Sequence, residues 1–307
     1  MMVRSLSDYN FADWRRLRPL IHGLKTAKYR LTTRRYVRRV APAGDLPALV
    51  RSMTGRRALV TIAFGDAEVI DWQVRLVRHN VPSATHVIAD NSRDHGAAAR
   101  IAAICAELDA PYVRLPDNPW HEPSRSHGIA LNWVWRNLIH PGEPEVFGFL
   151  DHDLFPTAPN DPFEPLSTQD CFGVVRAVGP RWFLWAGFCV FRFDRVRTEP
   201  LDFGQDWFYG LDTGGGNWRA LYQHIPRAAL KEPHCTFEPY KPGVRLADGA
   251  LQWVGPWLHE VGQMVRPELQ AERRQVVRNI LAPHLAAVED AAADRTVGAR
   301  AISCRPT

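Results

Sequence analysis

The sequence predicts an α/β fold: a doubly wound (Rossmann-like), mostly parallel central sheet flanked by helices. Three observations carry the α/β reading. Between about residues 58 and 151, apolar runs of strand length alternate with segments of helical period. The connections between them are short, as in doubly wound sheets. Two of the runs end in polar turns, "DNSRD" and "DHD", at the carboxyl ends of strands, where open α/β sheets take their ligands.

The elements follow in order. "ALVTIAF" (58–64) reads as the first strand and "DAEVIDWQVRLVRHN" (66–80) as an amphipathic helix. "THVIAD" (85–90) is a second strand and "GAAARIAAICAEL" (96–108) a helix; "PYVRL" (111–115) is a third strand and "SRSHGIALNWVWRNLI" (124–139) a helix. "EVFGFLD" (145–151) closes the series. Further on, "DCFGVVRAV" and "WFLWAGFCVFRF" read as strands, and "GGGNWRALYQHI" (214–225) as a short helix capped by Asp212 or Thr213. Residues 266–293 read as helical, with an irregular tail from 294. Ahead of the body, Phe11, Trp14, Leu17, Ile21, Leu24 and Leu31 recur at helical spacing among arginines and lysines, and Pro19 must kink or restart that helix. "APAGDLP" (41–47) reads as a linker. The expected organisation is a basic helical arm and linker over 1–50, a main domain over 51–262, and a C-terminal helix and tail over 263–307.

Composition sets limits. The chain has 307 residues, 46% hydrophobic and 23% charged, which is ordinary for a globular protein with a sizeable core. Residues 1–41 hold eleven Lys/Arg against Asp8 and Asp13, a net +9 that leaves −4 on the rest of a chain whose total is +5. The mildly acidic body argues against nucleic acid as a partner, while the basic arm could lie on an anionic membrane surface or pack its apolar stripe on the body. Five dispersed cysteines without CxxC spacing exclude a disulfide framework and a structural zinc site. No apolar leader follows the polar start, and "WFLWAGFCVF" (182–191) is half the length a membrane span needs. The expected location is cytoplasmic, peripheral to the inner face of the membrane if the arm docks there.

The chemistry concentrates at "EVFGFLDHDLFP" (145–156). Alternate residues on an extended chain point the same way, so Asp151 and Asp153 can reach one cation where the strand ends. Two carboxylates that close repel unless a positive charge lies between them, and hard oxygen ligands suit Mg2+ or Mn2+. A turn built on aspartates is the alternative, but the flanking "VFGFL" and "LFP" are too apolar for a solvated one.

Strand "LVTIAFGD", strand "HVIADNSRD", helix "SHGIALNWVW" and then "FLDHDLFP" together resemble the nucleotide-sugar-binding half of GT-A-fold glycosyltransferases, especially the family 2 type. The resemblance covers residues 57–160 well and 170–262 more weakly. It implies a metal-dependent transfer of a sugar from a UDP, GDP or dTDP donor to a saccharide or lipid-linked acceptor of a surface polysaccharide, inverting through a carboxylate base. Residue by residue it implies metal ligation by Asp151, Asp153 and His259, the last in "WLHEVG". It implies donor contacts from Thr61, Phe64, Asp90, Ser92, His127, Asn132, Asp151 and His152. Asp212 is the expected base, with Asp206 as the alternative; the family's "ED" pair and QxxRW signature are missing. Two other readings compete: a non-catalytic nucleotide-sugar-binding or adaptor protein with a membrane-binding arm, and a haloacid-dehalogenase-type phosphatase, which would want its nucleophile strand first in the domain.

Overall fold

The strands β1 (Arg57–Ala63) and β4 (Val146–Asp151) are buried on both faces along nearly their whole length and β2 (Ala84–Asp90) over its last four residues, which is why each reads as a largely apolar run rather than an alternation. The computed structural model describes residues 6–246, 249–261 and 269–303. β3 (Tyr112–Arg114) completes a parallel set, and the antiparallel strands β7 (Arg181–Arg192) and β6 (Cys171–Val178) extend it, giving the order β3-β2-β1-β4-β7-β6. The expected α/β class is therefore the observed one.

The pleat sends alternate side chains of β1 to opposite layers. Ala58, Val60 and Ile62 meet α3 (Leu46–Met53) and α6 (Pro123–Val134) in the largest core cluster. Ala63 faces α4 (Ala67–Asn80) and α5 (His95–Glu107), among Ile70, Val74 and Ile101. The register aligns Ala63 with Asp90 and Ile62 with Asp151, so both acids end their strands at one rim.

A second, antiparallel sheet has the order β5-β10-β9-β8, from β5 (Leu154–Pro156), β8 (Cys235–Pro239), β9 (Ala250–Val254) and β10 (Trp257–Glu260). It was not expected as a unit: its strands are three to five residues long, below what a periodic pattern resolves. Its function here is positional, because β10 pairs with β5 and sets His259 opposite Leu154, next to Asp153. Two short helices, α7 (His140–Gly142) and α8 (Phe193–Val196), flank the central sheet. The last helix, α9 (Gln270–Ser303), packs Val277 and Leu281 with Trp72 of α4, Phe155 of β5 and Leu258 of β10.

Several expectations need correction. Residues 214–225 form no continuous helix but two single 3-10 turns, at Gly215–Asn217 and Tyr222–His224, because Gly214–Gly216 thread between Leu184, Leu211 and Asp202 where no side chain fits. Leu46 and Pro47 of the expected linker already belong to α3, which Asp45 caps through the backbone N–H of Ala48. The helix expected at 124–139 passes at Trp135 into a π-helical turn. The expected irregular tail from 294 is helical through Ser303, and the remaining residues to 307 lie outside the described ones. The boundary expected at 262/263, and the start at 266 expected for the last helix, also lie outside the described residues.

The arm does restart at its proline. α1 (Phe11–Arg15) ends, Leu17 takes a left-handed conformation, and α2 (Arg18–Tyr36) begins with Pro19 in its first turn, where a missing N–H costs nothing. α2 packs on the body, but not through its leucines. Its inward residues are Pro19, His22, Thr26, Tyr29, Thr33 and Tyr36, and Leu20, Ile21, Leu24 and Leu31 face out. Of the two placements open for the apolar stripe, packing on the body is therefore not the one observed. No helix among the described residues is long and apolar enough to cross a membrane.

Candidate metal and donor site

Asp151 is the last residue of β4 and keeps some exposure; Asp153 lies two residues on, buried, at the entry to β5. Gln73 of α4 fixes the turn between them. Its amide donates to the carbonyl oxygens of Asp151 (2.6 Å) and Leu154 (2.8 Å), and its own Oε1 accepts from Thr61 Oγ1 (2.8 Å). A fully buried glutamine at that place turns an otherwise loose Asp-His-Asp bend into a fixed one.

His259 arrives from β10. Its Nε2 stands 3.5 Å from Asp153 Oδ1, and its Nδ1 is 3.1 Å from Gln252 Oε1. The Trp185 ring packs against the imidazole with centroids 4.7 Å apart. Burial disfavours charge on both partners of the pair, yet their mutual attraction outweighs it. The Asp153 carboxyl is pulled down to about 2, chiefly by His259 and then His152, while the His259 imidazole is raised by Asp153.

One ligand atom each from Asp151, Asp153 and His259 lies within 4.8 Å of the others. Opposite ligands across an ion with bonds of about 2.1 Å stand about 4.2 Å apart, so small side-chain adjustments close the three around one cation. Two carboxylates and one imidazole are a borderline-hard donor set that suits Mn2+, and Mg2+ somewhat less. Behind them, Gln252 orients the imidazole in the way outer-shell partners of metal-bound histidines do. The residues present therefore fit a divalent ion.

The donor-side candidates divide sharply. His127, on the first turns of α6, places Nε2 3.6 Å from Asp151 Oδ1, and that nitrogen has no hydrogen-bond partner among the described residues. His152 and Phe64 are half-buried at the same rim. By contrast, Asp90 is fully buried. It accepts from the backbone N–H (2.8 Å) and the hydroxyl of Ser92, from Tyr112 Oη (2.9 Å), and faces Arg114 at 3.4 Å. Ser92 in turn accepts from the Gly65 N–H (2.8 Å). These two build the floor beneath the rim, and nothing in the present geometry exposes them to a donor. Thr61 is likewise spent on Gln73 and on His86 (2.9 Å). Asn132 is likewise engaged, donating to Asp202 (2.8 Å) and accepting from the Phe203 N–H (2.8 Å).

Of the two candidate bases, Asp212 is exposed and its Oδ1 accepts from the Thr213 N–H (2.8 Å) and from Gln205 (3.2 Å). It does not open a helix; the 3-10 turn after it is preceded by Gly214, at φ +95°, where a side chain would strike the Leu184 carbonyl at 2.5 Å. Thr213 Oγ1 donates to the Ser124 carbonyl (3.1 Å), one helical turn before His127. That bond brings the Asp212 loop to the same rim as Asp151. Asp206 is buried, burial raises its carboxyl, and its Oδ1 has no hydrogen-bond partner among the described residues.

Gln73 and Gln252 are the site residues that sequence reasoning missed. Gln252 had a signal: "VGPW" (254–257) is a hairpin turn, and pairing outward from it sets 252 opposite 259, as observed. Gln73 had none beyond a polar residue on an apolar helix face.

No family model matches the chain, and no curated protein does. Among solved structures the chain is similar to a mannosyltransferase from Pyrobaculum calidifontis in complex with GDP-Man and Mn2+, at 14% identity and a TM-score of 0.40 over 69% of this chain and 64% of that one. It is similar to glucosyl-3-phosphoglycerate synthase from Mycobacterium tuberculosis, in complex with Mn2+, UDP-Glc and phosphoglyceric acid, at 16% identity and a TM-score of 0.42 over 80% and 86% of the two chains. It is also similar to S. aureus TarS, at 13% identity and 0.33 over 48% and 30%. The likenesses are distant, and the chemistry of the site rests on Asp151, Asp153 and His259 themselves.

Proposed function

We propose that the chain is a metal-dependent glycosyltransferase that moves a sugar from a nucleoside-diphosphate donor to a saccharide or lipid-linked acceptor. The observation that carries the reading is the convergence of Asp151, Asp153 and His259 at the carboxyl rim of the parallel sheet. A divalent ion there would act as a Lewis acid toward the diphosphate leaving group. The residues of the chain then divide the remaining tasks. Asp151 and Asp153 hold position through Gln73, and His127 offers a ring nitrogen to a donor oxygen. Asp212 is the carboxylate that takes the acceptor proton, since it is exposed and Asp206 is not. A single proton transfer of that kind goes with inversion at the sugar carbon.

Melting the protein with UDP, GDP or dTDP, with and without Mn2+, tests the reading. A ligand at a hundred times its Kd adds about 2.7 kcal/mol of stability. The expected result is a shift that needs nucleotide and metal together and that disappears in Asp153→Ala. No shift with any of the three nucleotides would favour an adaptor without donor binding. Asp212→Asn is expected to keep the shift and lose transfer; full transfer by that variant would remove Asp212 from the mechanism.

A further inference from the structure

α2 is amphipathic the wrong way round for a helix resting on a protein. Its leucine face looks into solvent: Leu20, Leu24 and Leu31 are 50–73% exposed and Ile21 44%, and Leu17, just ahead of the helix, is 58% exposed. Eight of the twelve exposed large hydrophobic side chains among the described residues fall between Leu6 and Leu31. The opposite face holds the helix to the body by polar and aromatic contacts. Tyr29 donates to Asp202 (2.9 Å), Tyr36 donates to the Pro116 carbonyl (3.2 Å), and His22 packs edge-on against Trp207 and Phe208. Those contacts leave the apolar stripe exposed, and an exposed stripe of this size needs an occupant.

Charge identifies the occupant. Residues 14–41 contain no acid at all, and Arg34, Arg35 and Arg38 are exposed beyond the leucines, at and just past the helix C-terminus, while Lys28 reaches toward the Trp120 ring. Leucines and isoleucine bordered by cations, with no carboxylate for a basic partner, complement a layer of anionic headgroups over acyl chains.

We infer that the arm is an interfacial anchor, its Leu17/Leu20/Ile21/Leu24/Leu31 face seated in an anionic lipid surface with Arg34, Arg35 and Arg38 at the headgroups. The inward face of the same helix touches the 202–208 segment, which leads into the loop of Asp212. One helix diameter, about 10 Å, separates the lipid-facing leucines from that segment. If the transferase reading holds, the docked arm sets the acceptor side of the site over the bilayer, which selects a lipid-linked acceptor over a free saccharide. The docking itself does not depend on that reading.

Co-sedimentation of the full chain with vesicles tests it, without any sugar nucleotide. Binding is expected to vesicles of phosphatidylcholine with about a third phosphatidylglycerol, and at least tenfold less to phosphatidylcholine alone or in high salt. L20S/I21S/L24S, changed only at exposed positions, is expected to lose binding at least tenfold while its melting temperature and its metal-plus-nucleotide shift stay as in the parent. R34E/R35E is expected to weaken only the salt-sensitive part. No binding to anionic vesicles, or binding that survives L20S/I21S/L24S, overturns the proposal. So does a dimer in light scattering that this triple variant splits, because a second copy would then be the occupant.

Discussion

His259 presents Nε2 to Asp153 because Gln252 holds its other ring nitrogen, at 3.1 Å. Removing an outer-shell partner of this kind typically costs 10–100-fold in metal affinity. Gln252→Ala is therefore expected to weaken Mn2+ binding by about that factor in calorimetry while leaving the fold intact, and unchanged affinity would mean that Trp185 alone orients the ring. A second histidine gives a prediction for pH. Burial, and then the charge of Arg78, push the His86 imidazole down to about 3. Its folded value lies below its unfolded one, so the unfolded chain takes the proton first. The stability it contributes is full above about pH 6.5 and is lost as pH falls. The loss reaches at most about 2 kcal/mol at pH 5, less in proportion to the exposure the ring retains. Unfolding at pH 7 and pH 5 should show that difference in the parent and not in His86→Gln. At this scale the sequence was most legible where chemistry is local. Asp151 and Asp153 share a face by strand geometry alone. Asp90 was placed correctly at the end of its strand, but the direction of its carboxylate depends on Tyr112 and Arg114 of a neighbouring strand.

Among the elements, α9 and β10 act as one unit. Glu260, fully buried next to His259 of the candidate metal site, accepts from Arg274 Nε (2.7 Å) and faces Arg273 at 3.5 Å; Arg274 also reaches Asp66, the cap of α4, at 2.5 Å. Breaking a buried ion pair from one side strands the other charge and costs about 3–5 kcal/mol. Arg274→Ala is expected to cost an amount near the lower end in urea unfolding, since Arg273 remains beside Glu260, and a cost below 1 kcal/mol would mean that Arg273 suffices. Strands β1, β2 and β4 were legible to within a residue because their runs are long and largely apolar, and the three-residue β3 was legible from its place in the alternation with helices. The β5-β10-β9-β8 sheet and the turns at 215–224 were not. Short strands carry too few periods to read, and a glycine run follows whatever path its neighbours leave open.

For the whole molecule, the arm is both a part of the body and apart from it. Tyr36 is 1% exposed and packs in the main core with Met53 and Trp133, and the Trp133 indole donates to the Arg39 carbonyl (2.9 Å). Burying one such aromatic contributes about 2–3 kcal/mol. Deleting residues 1–40 is therefore expected to lower stability by several kcal/mol. Deleting 1–17 removes, among the described residues, peripheral contacts such as Asp8 with Tyr209 and Arg219, and should shift the melting temperature by no more than a few degrees. Equal losses for both deletions would place the arm's contribution before Arg18. By itself the sequence determined the alternation of strands and helices, the aspartate pair at a strand end and the basic, leucine-striped arm, because each is written in neighbouring residues and their period. Only the tertiary structure decided which acids face the rim, which glutamines hold the Asp151–Asp153 turn and His259, and which face of α2 meets the body. Those outcomes depend on pairs of residues far apart in the chain, and no local pattern records them.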